Sequence, residues 1–88
     1  MIHLEFAPKF LKQVKKLEKD LQEEVIKRAD LFKDDANHRF LKVHKLHGSM
    51  SDRHAFYVTY SLRVVFRYES GKYAKILVID DHTVYKKK

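Results

Sequence analysis

The chain has 88 residues, of which 44% are hydrophobic and 35% charged, which allows one domain with one modest core and argues against a disordered chain. Cysteine is absent, which excludes disulfides and thiolate metal sites, and no apolar run approaches the ~20 residues that span a bilayer. The formal net charge of +7 favours a polyanion or an acidic protein as partner. The N-terminal segment does not resemble a secretory signal, so we expect a cytoplasmic protein. The expected single domain comprises residues 1–88.

The first part of the chain predicts one short strand and a pair of helices. Ile2 to Phe6 alternates apolar and polar residues, which is typical of a half-buried strand, and Pro8 stands where a first helical turn accepts proline. Asp20 and Glu23 resemble a capping box, so we expect the helical stretch to break near Asp20 into a hairpin of two helices. One apolar face recurs at helical spacing through Phe10, Val14, Leu17, Leu21, Val25, Ala29 and Phe32.

The second part predicts a loop followed by three strands. The polar segment from Asp34 to Arg39 is typical of a loop. From Arg53 the apolar period changes to two, and Tyr73 to Asp80 is apolar on both faces at its centre, as an interior strand is. Glu69 to Lys72 is a plausible hairpin turn between the last two strands. The residues expected on one face of these strands are Phe56, Val58, Tyr60, Leu62, Val64 and Phe66.

The order β-α-α-β-β-β predicts an α+β fold: one small twisted, mainly antiparallel sheet with a helical hairpin packed on one face. Leu62, Val64 and Phe66 would face the helices. Arg63 and Arg67 would then project from the opposite, open face. Two arginines on that face require either solvent or an anion to accommodate their charge.

Three segments of the chain resemble motifs of the RelE/ParE superfamily of toxins. His44 to Gly48 resembles the entry to their sheet, Leu62 to Phe66 their arginine-bearing strand, and Ile79 to Tyr85 their closing segment. The motifs occur in the family's order, and the predicted elements match along the whole chain. The resemblance implies that the protein is the toxin of a type II toxin–antitoxin system. It would be a ribosome-associated endoribonuclease that cleaves mRNA and inhibits translation without a metal or other cofactor. A cognate antitoxin would bind the toxin and block it.

The resemblance also assigns roles to individual residues. In the ribonuclease members the ribose 2′-hydroxyl attacks the adjacent phosphate, which requires a base, an acid and positive charge at the phosphate. By position in the motifs, Arg63 would stabilise the phosphate, His82 would act as acid or base, and Tyr85 would position a nucleotide base. His44 or Tyr57 would complete the proton transfers.

The chain departs from the family pattern at two positions. Tyr57 stands where some members carry a histidine or lysine base, and a phenol is a poor base at neutral pH without help. Asp81 places a carboxylate beside His82. The residues expected to contact RNA are Arg53, His54, Arg67 and Lys86, of which His54 lies on the opposite face from Arg63 by strict alternation. The histidines lack zinc-type spacing, so we expect no metal site.

Two alternatives stay open. The first is a ParE-like toxin that inhibits DNA gyrase, against which His82 and Tyr85 argue because that branch usually lacks such a C-terminal pair. The second is a catalytically degenerate homologue that only binds its antitoxin, which the departures at Tyr57 and Asp81 favour.

Overall fold

The computed structural model describes residues 1–48 and 52–81, and in these residues the apolar alternation builds a five-stranded sheet with strand order β1-β5-β4-β3-β2. The strands are β1 (His3–Phe6), β2 (His44–Lys45), β3 (His54–Tyr57), β4 (Leu62–Ser70) and β5 (Tyr73–Asp81). β1 runs parallel to β5, and the other neighbours are antiparallel. The predicted α+β fold with a mainly antiparallel sheet is therefore confirmed, with the two-residue β2 added at its edge.

The helices begin where the sequence places them, but the predicted capping box is wrong. They are α1 (Pro8–Lys15), α2 (Lys19–Phe32), a 3-10 helix (Asp35–Asn37) and α3 (His38–Leu41). The N-cap of α2 is Glu18, whose side chain makes no capping hydrogen bond, and Asp20 lies in the first turn. A carboxylate in the first turn interacts favourably with the helix dipole, which explains Asp20 without a capping role.

The segment predicted as a loop, Asp34 to Arg39, is largely helical. The Asp34 carboxylate accepts a hydrogen bond from the backbone N–H of Ala36 at 3.0 Å and so caps the 3-10 helix. The His38 ring stacks on Phe32 with centroids 4.6 Å apart, and its Nε2 donates to the Phe32 carbonyl at 2.8 Å. The polar residues of this segment therefore turn the chain back onto α2, where Leu41 is buried.

The core lies between the helices and one face of the sheet. Phe32 is its centre: the ring stacks on Phe56 at 5.2 Å and packs tilted against Phe66 at 4.5 Å. The predicted apolar helix face is confirmed, since all of its members are buried or pack partly buried against this core. Leu62 and Val64 join the same core, so β4 presents to the helices the side that the alternation predicts.

The open face of the sheet carries a second, smaller apolar cluster. Leu46, Ala55 and Val65 are buried there, and Val78 packs against them. The register of β4 against β5 shifts after Val65, which pairs with Val78, whereas Phe66 pairs with Ile76. The extra residue in β5 lets both strands keep an apolar side toward the helices on either side of the irregularity.

No helix in the described part of the chain is long and apolar enough to cross a membrane.

Candidate active site

Arg63 lies at the centre of a row of three residues on the open face. It pairs in register with Tyr57 of β3 on one side and with Asp80 of β5 on the other. Because it alternates with the core residues Leu62 and Val64, its side chain projects away from the helices, as predicted. The sheet thus brings a cation, a phenol and a carboxylate side by side.

The guanidinium of Arg63 is held by Asp80. Its Nε donates a hydrogen bond to Asp80 Oδ2 at 2.9 Å, and its Nη2 lies 2.8 Å from the same oxygen. The two side chains are 18% and 21% exposed, so water screens the pair only partly. Nη1 has no hydrogen-bond partner among the described residues, which leaves that side of the fork for an incoming anion.

Arg67, the second arginine predicted on the open face, is also paired with an acid. Its Nε donates to Glu69 Oε2 at 3.1 Å, in side chains that are 36% and 41% exposed. Both open-face arginines therefore have a carboxylate of the chain itself as their nearest anion. The Arg67 pair is the more solvated of the two and is correspondingly weaker.

Tyr57 lies beside Arg63, and His44 lies on the far side of Tyr57, on β2. Their rings stack with centroids 5.5 Å apart at an interplanar angle of 23°. The His44 Nδ1 is 2.9 Å from the Lys42 carbonyl oxygen. Since a carbonyl can only accept, Nδ1 carries the hydrogen, and in the neutral ring Nε2 keeps the lone pair that a general base needs.

His54 lies on the other face of β3, as strict alternation predicts. Its ring stacks on Phe66 at 5.6 Å and meets Tyr68 edge-on at 5.0 Å. Burial, and then the positive charges of Lys45 and His44, lower the pKa of His54 below its ordinary value. The structure therefore does not bring His54 to Arg63, and its expected RNA contact stays a prediction.

The remaining predicted site residues are divided between the edge of the site and the undescribed part of the chain. The Nε of Arg53 is buried, has no hydrogen-bond partner among the described residues, and lies 3.8 Å from Asp52 Oδ1. His82, Tyr85 and Lys86 lie outside the described residues, so the roles expected for them stay predictions. Within residues 1–48 and 52–81, no group of three histidine or acidic side chains could hold a metal ion.

Two features of the site escaped the sequence pattern. The sequence pattern predicted Asp80 only as the last residue of an interior strand. The strand register shows that it pairs with Arg63, 17 residues earlier in the chain. The second feature is a cleft of about 520 Å³ at the end of the β3–β4 hairpin, which α2 and α3 flank. Its exposed aromatic residues, Phe40 and Tyr60, had no predicted role, and Tyr60 was wrongly expected to continue a strand: β3 ends at Tyr57.

No protein-family model matches the chain, and no curated protein is detectably similar to it in sequence. Solved structures are similar in fold. YafQ from E. coli strain BL21(DE3) aligns with a TM-score of 0.76 at 15% identity, over 97% of this chain and 98% of that one. The archaeal RelE–RelB complex from Pyrococcus horikoshii OT3 gives 0.72 at 18% identity, over 92% and 94%. The toxin–antitoxin complex RelBE2 from Mycobacterium tuberculosis gives 0.72 at 16% identity, over 91% and 96%.

At these identities the likeness establishes the fold. The chain has the fold of the RelE and YafQ proteins over nearly its whole length, and the fold that its motifs predicted is confirmed.

Proposed function

We propose that this protein is the toxin of a type II toxin–antitoxin system and a metal-independent endoribonuclease that cleaves mRNA on the ribosome. The fold supports the first half, because similar structures include toxin–antitoxin complexes. The observation that carries the second half is the convergence on one open sheet face of Arg63, Tyr57 and a stacked His44. A cation for the phosphate and, on the same face, a ring nitrogen with a free lone pair are what phosphoryl transfer to a 2′-hydroxyl requires.

The proposed reaction uses these groups as follows. The ribose 2′-hydroxyl gives its proton to His44 Nε2 as its oxygen attacks the adjacent phosphorus. The P–O5′ bond breaks, and the leaving oxygen takes a proton from an acid, the role expected for His82. The products are a 2′,3′-cyclic phosphate and a free 5′-hydroxyl. Arg63, through the side of the guanidinium that Asp80 leaves open, would stabilise the charge on the phosphate oxygens.

A cognate antitoxin is the expected protein partner in the cytoplasm. The formal charge of +7 favours a partner that presents acidic residues. Surface charges steer such an encounter and are screened beyond a Debye length of about 8–10 Å, so association should slow as salt rises.

The test is expression of the chain without its antitoxin, followed by mapping of cellular RNA ends. An endoribonuclease stops growth and translation and leaves transcripts cut within codons, with 5′-hydroxyl ends. Arg63→Ala should abolish the cuts while the protein stays folded by circular dichroism. Lys72→Ala, which removes one exposed cation in the β4–β5 turn, is the matched control and should stay toxic. Growth arrest with intact transcripts and damaged DNA would instead indicate a gyrase inhibitor.

One observation favours the degenerate homologue as second candidate. Asp80 already occupies part of the Arg63 fork, so a substrate phosphate meets a partly neutralised cation. A degenerate chain would bind its antitoxin without arresting growth or cutting RNA when expressed alone.

A further inference from the structure

The cleft at the end of the β3–β4 hairpin has the composition of a nucleotide-binding surface. Exposed rings, a lysine and a hydroxyl surround its volume of about 520 Å³. Phe40 is 63% exposed and Tyr60 is 86% exposed, which makes them the most exposed phenylalanine and tyrosine rings among the described residues. Tyr57 belongs both to the cleft and to the open face where it stacks on His44.

A tight turn presents Tyr60 to solvent. The backbone N–H groups of Val58 and Thr59 both donate to the Leu62 carbonyl, at 2.8 and 3.1 Å. The Thr59 hydroxyl accepts in return from the backbone N–H of Ser61 at 3.3 Å and of Leu62 at 3.0 Å. These bonds fix the backbone on both sides of Tyr60, so less backbone order has to be created when its exposed ring binds a ligand.

Arg28 of α2 lines the cleft and contacts three of its neighbours. Its Nε donates to Glu24 at 2.6 Å, and its Nη1 donates to the Tyr57 carbonyl at 3.1 Å. The guanidinium carbon lies 5.2 Å from the centre of the Phe40 ring, a cation–π distance. Arg28 thereby fixes Phe40 against the end of β3. Glu24 offsets the positive charge of Arg28. Lys42, which has no ion-pair partner among the described residues, supplies the uncompensated positive charge.

We propose that this cleft binds a nucleotide of single-stranded RNA that flanks the nucleotide cleaved at Arg63, with the base on Tyr60 and a backbone phosphate at Lys42. The inference rests on the proposed ribonuclease function. Single-stranded nucleic acid is bound by aromatic rings on which bases stack, beside cations that follow the backbone. Tyr57 connects the two places, because it is the register neighbour of Arg63 and also lines the cleft.

The charge of the cleft favours RNA over a protein segment as occupant. Lys42 is the cation of the cleft that no acid of the described residues offsets, and it lies beside exposed rings on which bases can stack, so a polyanion that carries bases fits both features. An aromatic platform accepts any base, which suits an enzyme that contacts transcripts of varied sequence.

The experiment measures binding of a short fluorescent single-stranded RNA whose 2′-hydroxyls are all methylated, so that it cannot be cleaved. Tyr60→Ala should weaken binding by about five-fold or more, while Tyr60→Phe, which keeps the ring, should bind within about two-fold of the wild type. Tyr73→Ala is the matched control, because Tyr73 is an exposed tyrosine at the start of β5 whose ring stacks on His3. Lys42→Gln should reduce the salt dependence of binding by about one phosphate contact, a slope change of ~0.7.

The wild-type titration and the variant comparison separate the two proposals. A wild-type chain that binds the methylated RNA neither free nor placed on ribosomes contradicts the proposed function and this inference with it. A wild type that binds RNA, with Tyr60→Ala and Lys42→Gln binding equally well, overturns the cleft alone. Variants that keep RNA binding but lose affinity for the antitoxin would likewise overturn it and make the cleft a protein-docking surface.

Discussion

Asp80 binds Arg63 along one edge of the guanidinium, where Nε and Nη2 both lie within 2.9 Å of a single carboxylate oxygen. The arginine is therefore oriented before any phosphate arrives, on β4, which pairs with β5 in the interior of the sheet. A group fixed in this way contributes more to catalysis than a freely rotating one, because less order has to be created at the moment of reaction.

Replacing Asp80 should separate its effect on Arg63 orientation from its effect on charge. Asp80→Ala removes the acceptor, and we expect the cleavage rate at saturating RNA to fall about ten-fold or more. Asp80→Asn keeps an oxygen that accepts from Nε but removes the charge, so it should lose less rate and lower the KM for RNA. Single-turnover cleavage measures both, with Asp20→Asn on the exposed side of α2 as the control for loss of one carboxylate.

An increase in rate with Asp80→Ala would contradict the orienting role. It would show that Asp80 only competes with the substrate phosphate for Arg63.

The two open-face ion pairs should differ in their contribution to stability. Arg63 and Asp80 are 18% and 21% exposed, whereas Arg67 and Glu69 are 36% and 41% exposed. A double-mutant cycle to alanine should give a coupling energy of about 1–2 kcal/mol for the first pair. The second should give about 0.5 kcal/mol or less, because water screens it. Urea unfolding of the two sets of variants measures both values, and equal coupling energies would contradict the difference in screening.

The pKa of His54 predicts a loss of stability in mild acid. Burial lowers it from its ordinary value of 6.5, and Nδ1 is buried without a hydrogen-bond partner among the described residues. As pH falls below about 6.5, the unfolded chain takes up a proton that the folded chain resists. The stability that neutral His54 contributes is therefore fully present above the pKa of this histidine in the unfolded chain. It is lost as pH falls through the lower pKa of His54 in the folded chain.

The measurement is the free energy of unfolding between pH 7 and 5. His54→Phe, which keeps a planar ring against Phe66 and Tyr68, should flatten this dependence, while His47→Gln at an exposed position should not. An NMR titration of the His54 ring with a midpoint at or above 6.5 would contradict the prediction.

Periodicity predicted the parts of the fold that depend on apolar burial. The helix face centred on Val25 and Phe32 and the strand face of Val64 and Phe66 follow from spacing alone, because only one side of each element can be buried. The prediction of a loop from Asp34 onward failed for a physical reason. Its polar side chains bond to backbone groups and build short helices, and polar composition does not distinguish this from a loop.

The site was predictable only where it depends on one strand. Alternation placed Arg63 on the open face, but its contact with Asp80 depends on the register of two strands, which the irregularity after Val65 further alters. The cleft escaped because it joins residues of α2, α3 and the β3–β4 turn, and no local pattern connects Arg28 with Tyr60.

The Gln13 side chain takes the place of a neighbouring strand at the outer edge of β5. β1 pairs with β5 only as far as Phe6 opposite Ile76, and beyond that point the outer edge of β5 lies beside α1. There Gln13 Oε1 accepts from the Ile79 N–H at 2.7 Å, and Gln13 Nε2 donates to the Ile79 carbonyl at 3.0 Å. One amide side chain thus satisfies both backbone groups of the residue before Asp80.

Gln13→Glu should therefore destabilise the chain although it preserves size, because a carboxylate accepts from the Ile79 N–H but cannot donate to its carbonyl. We expect the free energy of unfolding to fall by about 1–3 kcal/mol, with a similar loss for Gln13→Ala. Amide hydrogen exchange at Ile79 should accelerate in both variants. Gln22→Ala is the control: its amide donates to the Leu17 carbonyl at 2.9 Å in the α1–α2 connection, so its loss should leave exchange at Ile79 unchanged. If Gln13→Glu were as stable as the wild type and Ile79 exchanged no faster, the side chain would not be what holds this end of β5, and the orientation of Asp80 would not depend on Gln13.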